Sequence, residues 1–202
     1  PSWLSSDRAC WFDYGNRRWV TGDFKTADST RLMIASDGLA SVSDSGRLIP
    51  ETGGSADSTQ ASEGADVIVD DPLIPTPSVG GWSCCYESMA PIGAKDQRAV
   101  EAMSQVAVYT ADPLPVGTRM CGKPRVTVEA TIERLPATIV TTLCLVRRGR
   151  SFNISRGVWR KKDADQGSSW TDVTAEIELS PVALTLGTDD RIRLLIQGSS
   201  FP

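Results

Sequence analysis

Histidine is absent from all 202 residues, and that absence excludes more than any residue present implies. A Ser, His, Asp triad or a Cys, His dyad needs an imidazole to take up and return a proton near neutral pH. The chain can build neither. The G-x-S-x-G elbow that exposes a nucleophilic serine is missing, and so is the Ser-x-x-Lys spacing of a lysine-activated one. Two carboxylates working as acid and base would need no histidine. With 25 acidic residues, however, the sequence offers too many pairs to single one out. No catalytic residue is assigned.

Other features are scarce in ways that narrow the partners. No apolar run approaches the roughly 20 residues of a membrane span, and no signal peptide stands at the N-terminus. The net charge is −4 with Lys and Arg scattered, which argues against both nucleic acid and a membrane surface as partners. A chain that opens on Pro1 is expected to be a processed or excised segment. The five cysteines, Cys10, Cys84, Cys85, Cys121 and Cys144, are odd in number and lack C-x-x-C spacing. They read as thiols in a reducing, cytoplasmic compartment rather than a disulfide framework, with Cys121 and Cys144 expected as small core residues. Adjacent Cys84 and Cys85 with no histidine to help them make a poor zinc site. The pairs Asp70 and Asp71, Asp163 and Asp165, and Asp189 and Asp190 match no EF-hand loop and read as turn formers. No metal and no cofactor is expected.

What is present is β-strand. Val126, Val128, Ala130 and Ile132 alternate with Thr127, Glu129, Thr131 and Glu133, the period-two pattern of a strand with one dry face and one wet face. The pattern also predicts strands up to Thr110 from Val106, over Ile139 to Val146, through Phe152 to Trp159, around Val173 to Leu179, and over Ile192 to Ile196. Arg148, Gly149 and Arg150 supply a hairpin turn, and Gly157 is expected to mark a bulge. Arg31 to Ala35 reads as a further strand ending at Asp37 and Gly38. Ser41 to Ala65 offers little to bury, and Thr52 to Gly64, dominated by Ser, Gly, Asp and Thr, reads as a long exposed loop. One short helical turn is expected between Ser83 and Ala99. The Asn153, Ser155 sequon falls inside a predicted strand, so it is not read as a glycosylation site. These elements predict one mostly-β domain over residues 1–202 with two packed sheets.

The most distinctive stretch is DDPLIPTPSVGG, Asp70 to Gly81. Pro72, Pro75 and Pro77 exclude a helix and disfavour a central strand, so the stretch reads as a rigid extended loop. Gly80 and Gly81 permit positive φ or close backbone approach at its end. Trp159 alternates with apolar neighbours and reads as packing, whereas Trp82, beside the double glycine, reads as exposed.

That stretch is followed by DQR (Asp96 to Arg98), VAVYTADPL (Val106 to Leu114), GKPRVTVEA (Gly122 to Ala130), RRGRSFNISRGVWR (Arg147 to Arg160) and DRIRLLIQGSSFP (Asp190 to Pro202). In this order the series resembles the C-terminal jelly-roll domain of X-prolyl dipeptidyl peptidases and cocaine esterase-like (CocE/NonD) serine hydrolases, over essentially the whole chain. The resemblance implies an all-β, galactose-binding-domain-like jelly-roll sandwich. Its partner would be an α/β-hydrolase catalytic domain that these residues do not include, and the substrate of the parent a peptide or ester. It further implies that the loop after the double glycine approaches the active-site mouth, placing Trp82, Cys84, Cys85 and Tyr86 on the pocket rim. Two departures are visible. Leu135, Pro136, Ala137 and Thr138 stand where relatives have an acidic, Thr-containing turn, and relatives continue past the equivalent of Phe201 and Pro202 into further β structure. The alternative reading is a stand-alone carbohydrate- or ligand-binding jelly-roll module, since a fold alone does not fix function.

Overall fold

The computed structural model describes residues 9–22, 29–43, 45–51, 64–81, 92–162 and 170–201. Among them lie twelve strands and one helix of a single turn, α1 (Arg98–Glu101). The strands are β1 (Ala9–Asp13), β2 (Arg18–Gly22), β3 (Leu32–Ala35), β4 (Gly46–Pro50), β5 (Val106–Ala111) and β6 (Arg119–Gly122). After them come β7 (Arg125–Ile132), β8 (Ala137–Arg147), β9 (Arg150–Lys161), β10 (Thr171–Glu178), β11 (Val182–Thr185) and β12 (Arg191–Gln197). The protein is an all-β sandwich.

Its larger layer is a six-stranded sheet in the order β3-β4-β5-β12-β8-β9, antiparallel except where β4 runs parallel to β5. The facing layer is built from the pairs β7 with β10 and β6 with β11. Between the layers lies the core. Ala107, Tyr109, Leu143, Leu145, Ile192, Leu194 and Ile196 come from the large sheet and Ala175, Ile177, Val182 and Leu184 from the other, with Val126, Val128 and Ala130 packed against them. Strand β7 alternates strictly between exposed and part-buried residues, as the sequence pattern demands.

The other face of the large sheet is covered too. Val106, Val108, Cys144 and Leu195 form a second, smaller cluster with Val100 of α1 and with Val79 from the proline-rich segment. Burial there pushes the Cys144 thiol up to about 12. This second covering positions the candidate site, because it lays residues 76–81 and 92–103 over β8 and β9.

Several expectations need correction. Cys144 is buried, but Cys121 is exposed: on β6 the alternation turns Met120 inward and Cys121 out. Residues 41–65, expected to bury little, include a strand, β4, with Leu48 in the core, and residues 52–63 of the expected loop lie outside the described residues. The bulge in β9 falls at Ile154, between Asn153 paired with Cys144 and Ser155 paired with Leu143, and not at Gly157. Gly157 is instead a close-approach residue: a Cβ there would lie 2.7 Å from Ile177 Cγ2 and 2.8 Å from the Glu178 carbonyl oxygen. The hairpin β1–β2 and the strands β6 and β11 had no counterpart in the sequence reading.

Candidate functional site

The segment from Asp70 to Gly81 is held at both ends. A turn opens it, with the Ile74 N–H donating to the Asp71 carbonyl and the Leu73 N–H to the Asp71 carboxylate. Beyond the turn the chain runs beside the C-terminal residues: Pro77 bridges Phe201 in parallel, the Ser78 N–H donates to the Phe201 carbonyl at 2.7 Å, and the Phe201 N–H donates to Thr76 at 2.9 Å. Prolines are tolerated here because this short pairing lies outside the main sheet and does not use their missing N–H groups.

At the far end, Gly80 and Gly81 adopt φ of +73° and +90°. Gly81 and Gly93 then exchange two backbone hydrogen bonds, of 2.7 and 2.9 Å, so the residues that flank 82–92 in sequence meet at one narrow neck. The neck stands on Asn153 of β9. Its Oδ1 accepts from the Lys95 N–H at 2.7 Å and from Gln97 Nε2 at 3.1 Å, while its Nδ2 donates to the Gly93 carbonyl at 3.2 Å. Gln97, 1% exposed, also donates to the Val79 and Lys95 carbonyls. Two buried amide side chains thus lock both legs of the loop onto the sheet, Asn153 through its Oδ1 and Nδ2 and Gln97 through its Nε2. Gly80 is required at this point, since a Cβ would come within 2.5 Å of the Gly93 carbonyl oxygen and 2.6 Å of Asn153 Oδ1.

Next along β9, Arg156 lies over the same face. Its Nη1 donates to Ser78 Oγ at 3.0 Å and Ser200 Oγ at 3.5 Å, and its Nε to Thr142 Oγ1 at 3.3 Å. Burial lowers its pKa from the ordinary arginine value, yet a guanidinium remains charged throughout the working range. Arg156, Gly157 and Val158 line one side of an open groove of about 450 Å³, with Glu178 to Pro181 along the other.

The sequence-predicted rim residues Trp82, Cys84, Cys85 and Tyr86 lie outside the described residues. The structure does describe the neck formed by the residues on either side of them in sequence. The Asn153 of the sequon is buried and fully engaged in that neck, which gives it a structural task. Sequence reasoning missed Asn153, Gln97 and Arg156 as a group. The available signal was the run Ser151, Asn153, Ser155, a strand whose regularly spaced polar residues suggest a wet face but are all buried. Among the described residues no three His, Cys, Asp or Glu side chains are placed to hold one metal ion.

No protein-family model matches the sequence, and no curated protein matches it. Solved structures do. An aminopeptidase from a marine sediment archaeon, Thaumarchaeota archaeon, superposes with a TM-score of 0.70 at 19% identity over 96% of this chain. An α-amino acid ester hydrolase does so with a TM-score of 0.63 at 16% identity, again over 96% of the chain. This chain has their β-sandwich fold. It spans 33% of the first structure and 34% of the second, about a third of each. A CocE/NonD family hydrolase from Staphylococcus aureus matches 48% of the chain and 23% of its own length with a TM-score of 0.40 at 13% identity, too slight an overlap to add to the fold. Among the described residues no helix is long and apolar enough to cross a membrane.

Proposed function

We propose that this chain is the noncatalytic accessory domain of an acyl serine hydrolase of the X-prolyl dipeptidyl peptidase or CocE/NonD esterase type. The sandwich is read as a galactose-binding-like jelly roll that packs on an α/β-hydrolase domain, and residues 82–92 as one wall of the substrate pocket, with Trp82, Cys84, Cys85 and Tyr86 on its rim. The observation that carries the reading is a pairing: the chain shares its fold with about a third of each of two hydrolases, yet lacks the histidine that a triad needs. The neck supports the placement, since a loop that shapes a pocket has to be held by a rigid base. The free thiols Cys10, Cys121 and Cys144 suit a reducing, cytoplasmic setting.

The test compares this chain alone with the larger protein that contains it, on p-nitrophenyl esters and X-Pro p-nitroanilides. The chain alone is expected to give no turnover above background. In the larger protein, Trp82→Ala lowers kcat/KM roughly tenfold with an unchanged melting temperature, about 1.4 kcal/mol of lost transition-state binding. Turnover by the chain alone would sink the reading, as would a parent gene without a hydrolase domain. Glycan binding by the chain alone, abolished by Trp82→Ala, would establish a binding module in its place.

A further inference from the structure

Three arginines among the described residues are part-buried, and their partners differ in kind. Arg147 makes a forked contact with the Asp190 carboxylate, and Arg193 pairs with Glu101. Among the described residues Arg156 faces hydroxyl oxygens, those of Ser78, Thr142 and Ser200, and no carboxylate. A cation withdrawn from water without a counter-charge is costly, and hydroxyl dipoles offset that cost only in part. The same three hydroxyls, drawn from the proline-rich segment, β8 and the C-terminal residues, can rotate and donate to an anion that the guanidinium holds.

The guanidinium lies beside the glycine neck. Gly81 faces it without a side chain, and the position its Cβ would take lies 3.7 Å from Nη1. Arg156 also helps to line the groove of about 450 Å³. The other cation on that groove, Lys123, is engaged by Glu178 at 2.8 Å. Among the described residues the groove therefore presents one positive charge without a carboxylate partner, which suits a monoanion better than a doubly charged phosphate. The planar fork of a guanidinium matches the two oxygens of a carboxylate.

We propose that Arg156, framed by Ser78, Thr142 and Ser200 beside the glycine neck, is a receptor for a carboxylate that comes from outside this chain. The inference stands independently of the hydrolase reading. A small free carboxylate and an Asp or Glu side chain on a docked polypeptide segment present the same pair of oxygens, and the site takes either.

The experiment titrates the purified protein with sodium acetate, against sodium chloride at matched ionic strength, while NMR follows the Arg156 Nε–H and the amides of Gly81 and Gly157. Acetate shifts these signals saturably, with half-saturation in the millimolar range expected for one forked charge-assisted contact, and chloride leaves them in place. Arg156→Lys, which keeps the charge but loses the fork, weakens the response roughly tenfold. Arg156→Gln abolishes it, and Glu87→Gln, which removes the one acid of residues 82–92, leaves it unchanged. Repeating the titration on the larger protein separates the sources. A persisting response identifies a free carboxylate as the ligand, and a response lost there identifies a carboxylate supplied by the docked part. Equal shifts with chloride, a response that survives Arg156→Gln, or one that emerges only in Glu87→Gln would each overturn the proposal.

Discussion

Two adjacent glycines at the loop neck have different reasons to be glycine. Both hold positive φ, which any L-residue with a side chain adopts at a cost of about 1 kcal/mol. Only at Gly80 is there also no room, with the Gly93 carbonyl and the Asn153 amide inside contact distance of a Cβ. Gly80→Ala is therefore expected to destabilise the protein by about 2–4 kcal/mol, and Gly81→Ala by only about 1 kcal/mol. Urea unfolding of the two variants gives the comparison, and equal losses would show that the neck is looser than its hydrogen bonds imply. Asn153 belongs to the same reasoning, because its amide accepts from and donates to the returning leg at once, while Gln97, held by it, reaches the Val79 carbonyl of the outgoing leg.

At the scale of the element, β9 has two jobs that compete for its residues. Its outward positions hold the loop neck and the guanidinium, while Gly157 lets β10 end close against it, with the Ser180 N–H donating to the Arg156 carbonyl and Ser155 Oγ to the Ser180 carbonyl. Gly157→Val would drive its methyls into Ile177 and the Glu178 carbonyl. We expect a loss of about 2–3 kcal/mol from overpacking and a displaced β10 end, measurable as a lower melting temperature and weaker hydrogen-exchange protection of the Ser180 amide. An unaffected Ser180 amide would count against a close packing of β9 and β10. Strand β9 also shows why sequence legibility has limits. Strands β5, β7, β8, β10 and β12 could be read directly, because β7 and β10 place apolar residues at alternate positions facing one core and β5, β8 and β12 carry near-continuous apolar runs that feed clusters on both faces of the large sheet. Strands β6 and β11 are four residues each and carry too few alternations to declare a period. The β1–β2 hairpin buries mainly Asp13, a polar residue that no hydrophobic pattern would reveal. The site was legible as a loop after Pro77 and before Asp96, but its base was not, since a buried Asn and Gln look like surface residues until their partners are known.

At the scale of the whole molecule, Asp13 and Arg147 tie the β1–β2 hairpin to both layers of the sandwich. Asp13 accepts from the Thr185 N–H and hydroxyl and from the Gly15 N–H, which seats the β1–β2 hairpin on β11. Arg147 extends the tie, donating to the Gly15 carbonyl at 2.9 Å while it grips Asp190. Burial pushes the Asp190 carboxyl upward, but the Arg147 guanidinium and the Gly187 N–H outweigh it and hold the group below the usual carboxylate range. Asp13 behaves alike: burial raises it, and its Thr185 and Asn16 partners leave it lower on balance. Because both folded values lie below the unfolded value of about 4, their stabilisation is fully present above that pH. It is lost as the pH falls through the depressed values. Acid unfolding should therefore be steep below about pH 4, and Asp190→Asn should cost roughly 3 kcal/mol at pH 7 while flattening the acid limb. An acid limb of unchanged slope in that variant would assign the pH dependence elsewhere.

The paired glycine amides at residues 81 and 93 bear on how such a scaffold changes over time. A segment whose two ends meet at one spot contributes no net displacement to the path of the chain, so its length is uncoupled from the register of every strand around it. Insertions and deletions between Trp82 and Ile92 leave β8, β9 and the residues beneath them where they stand. A different ligand can thus be accommodated by splicing a longer or shorter stretch into that doorway, with no repacking of the core.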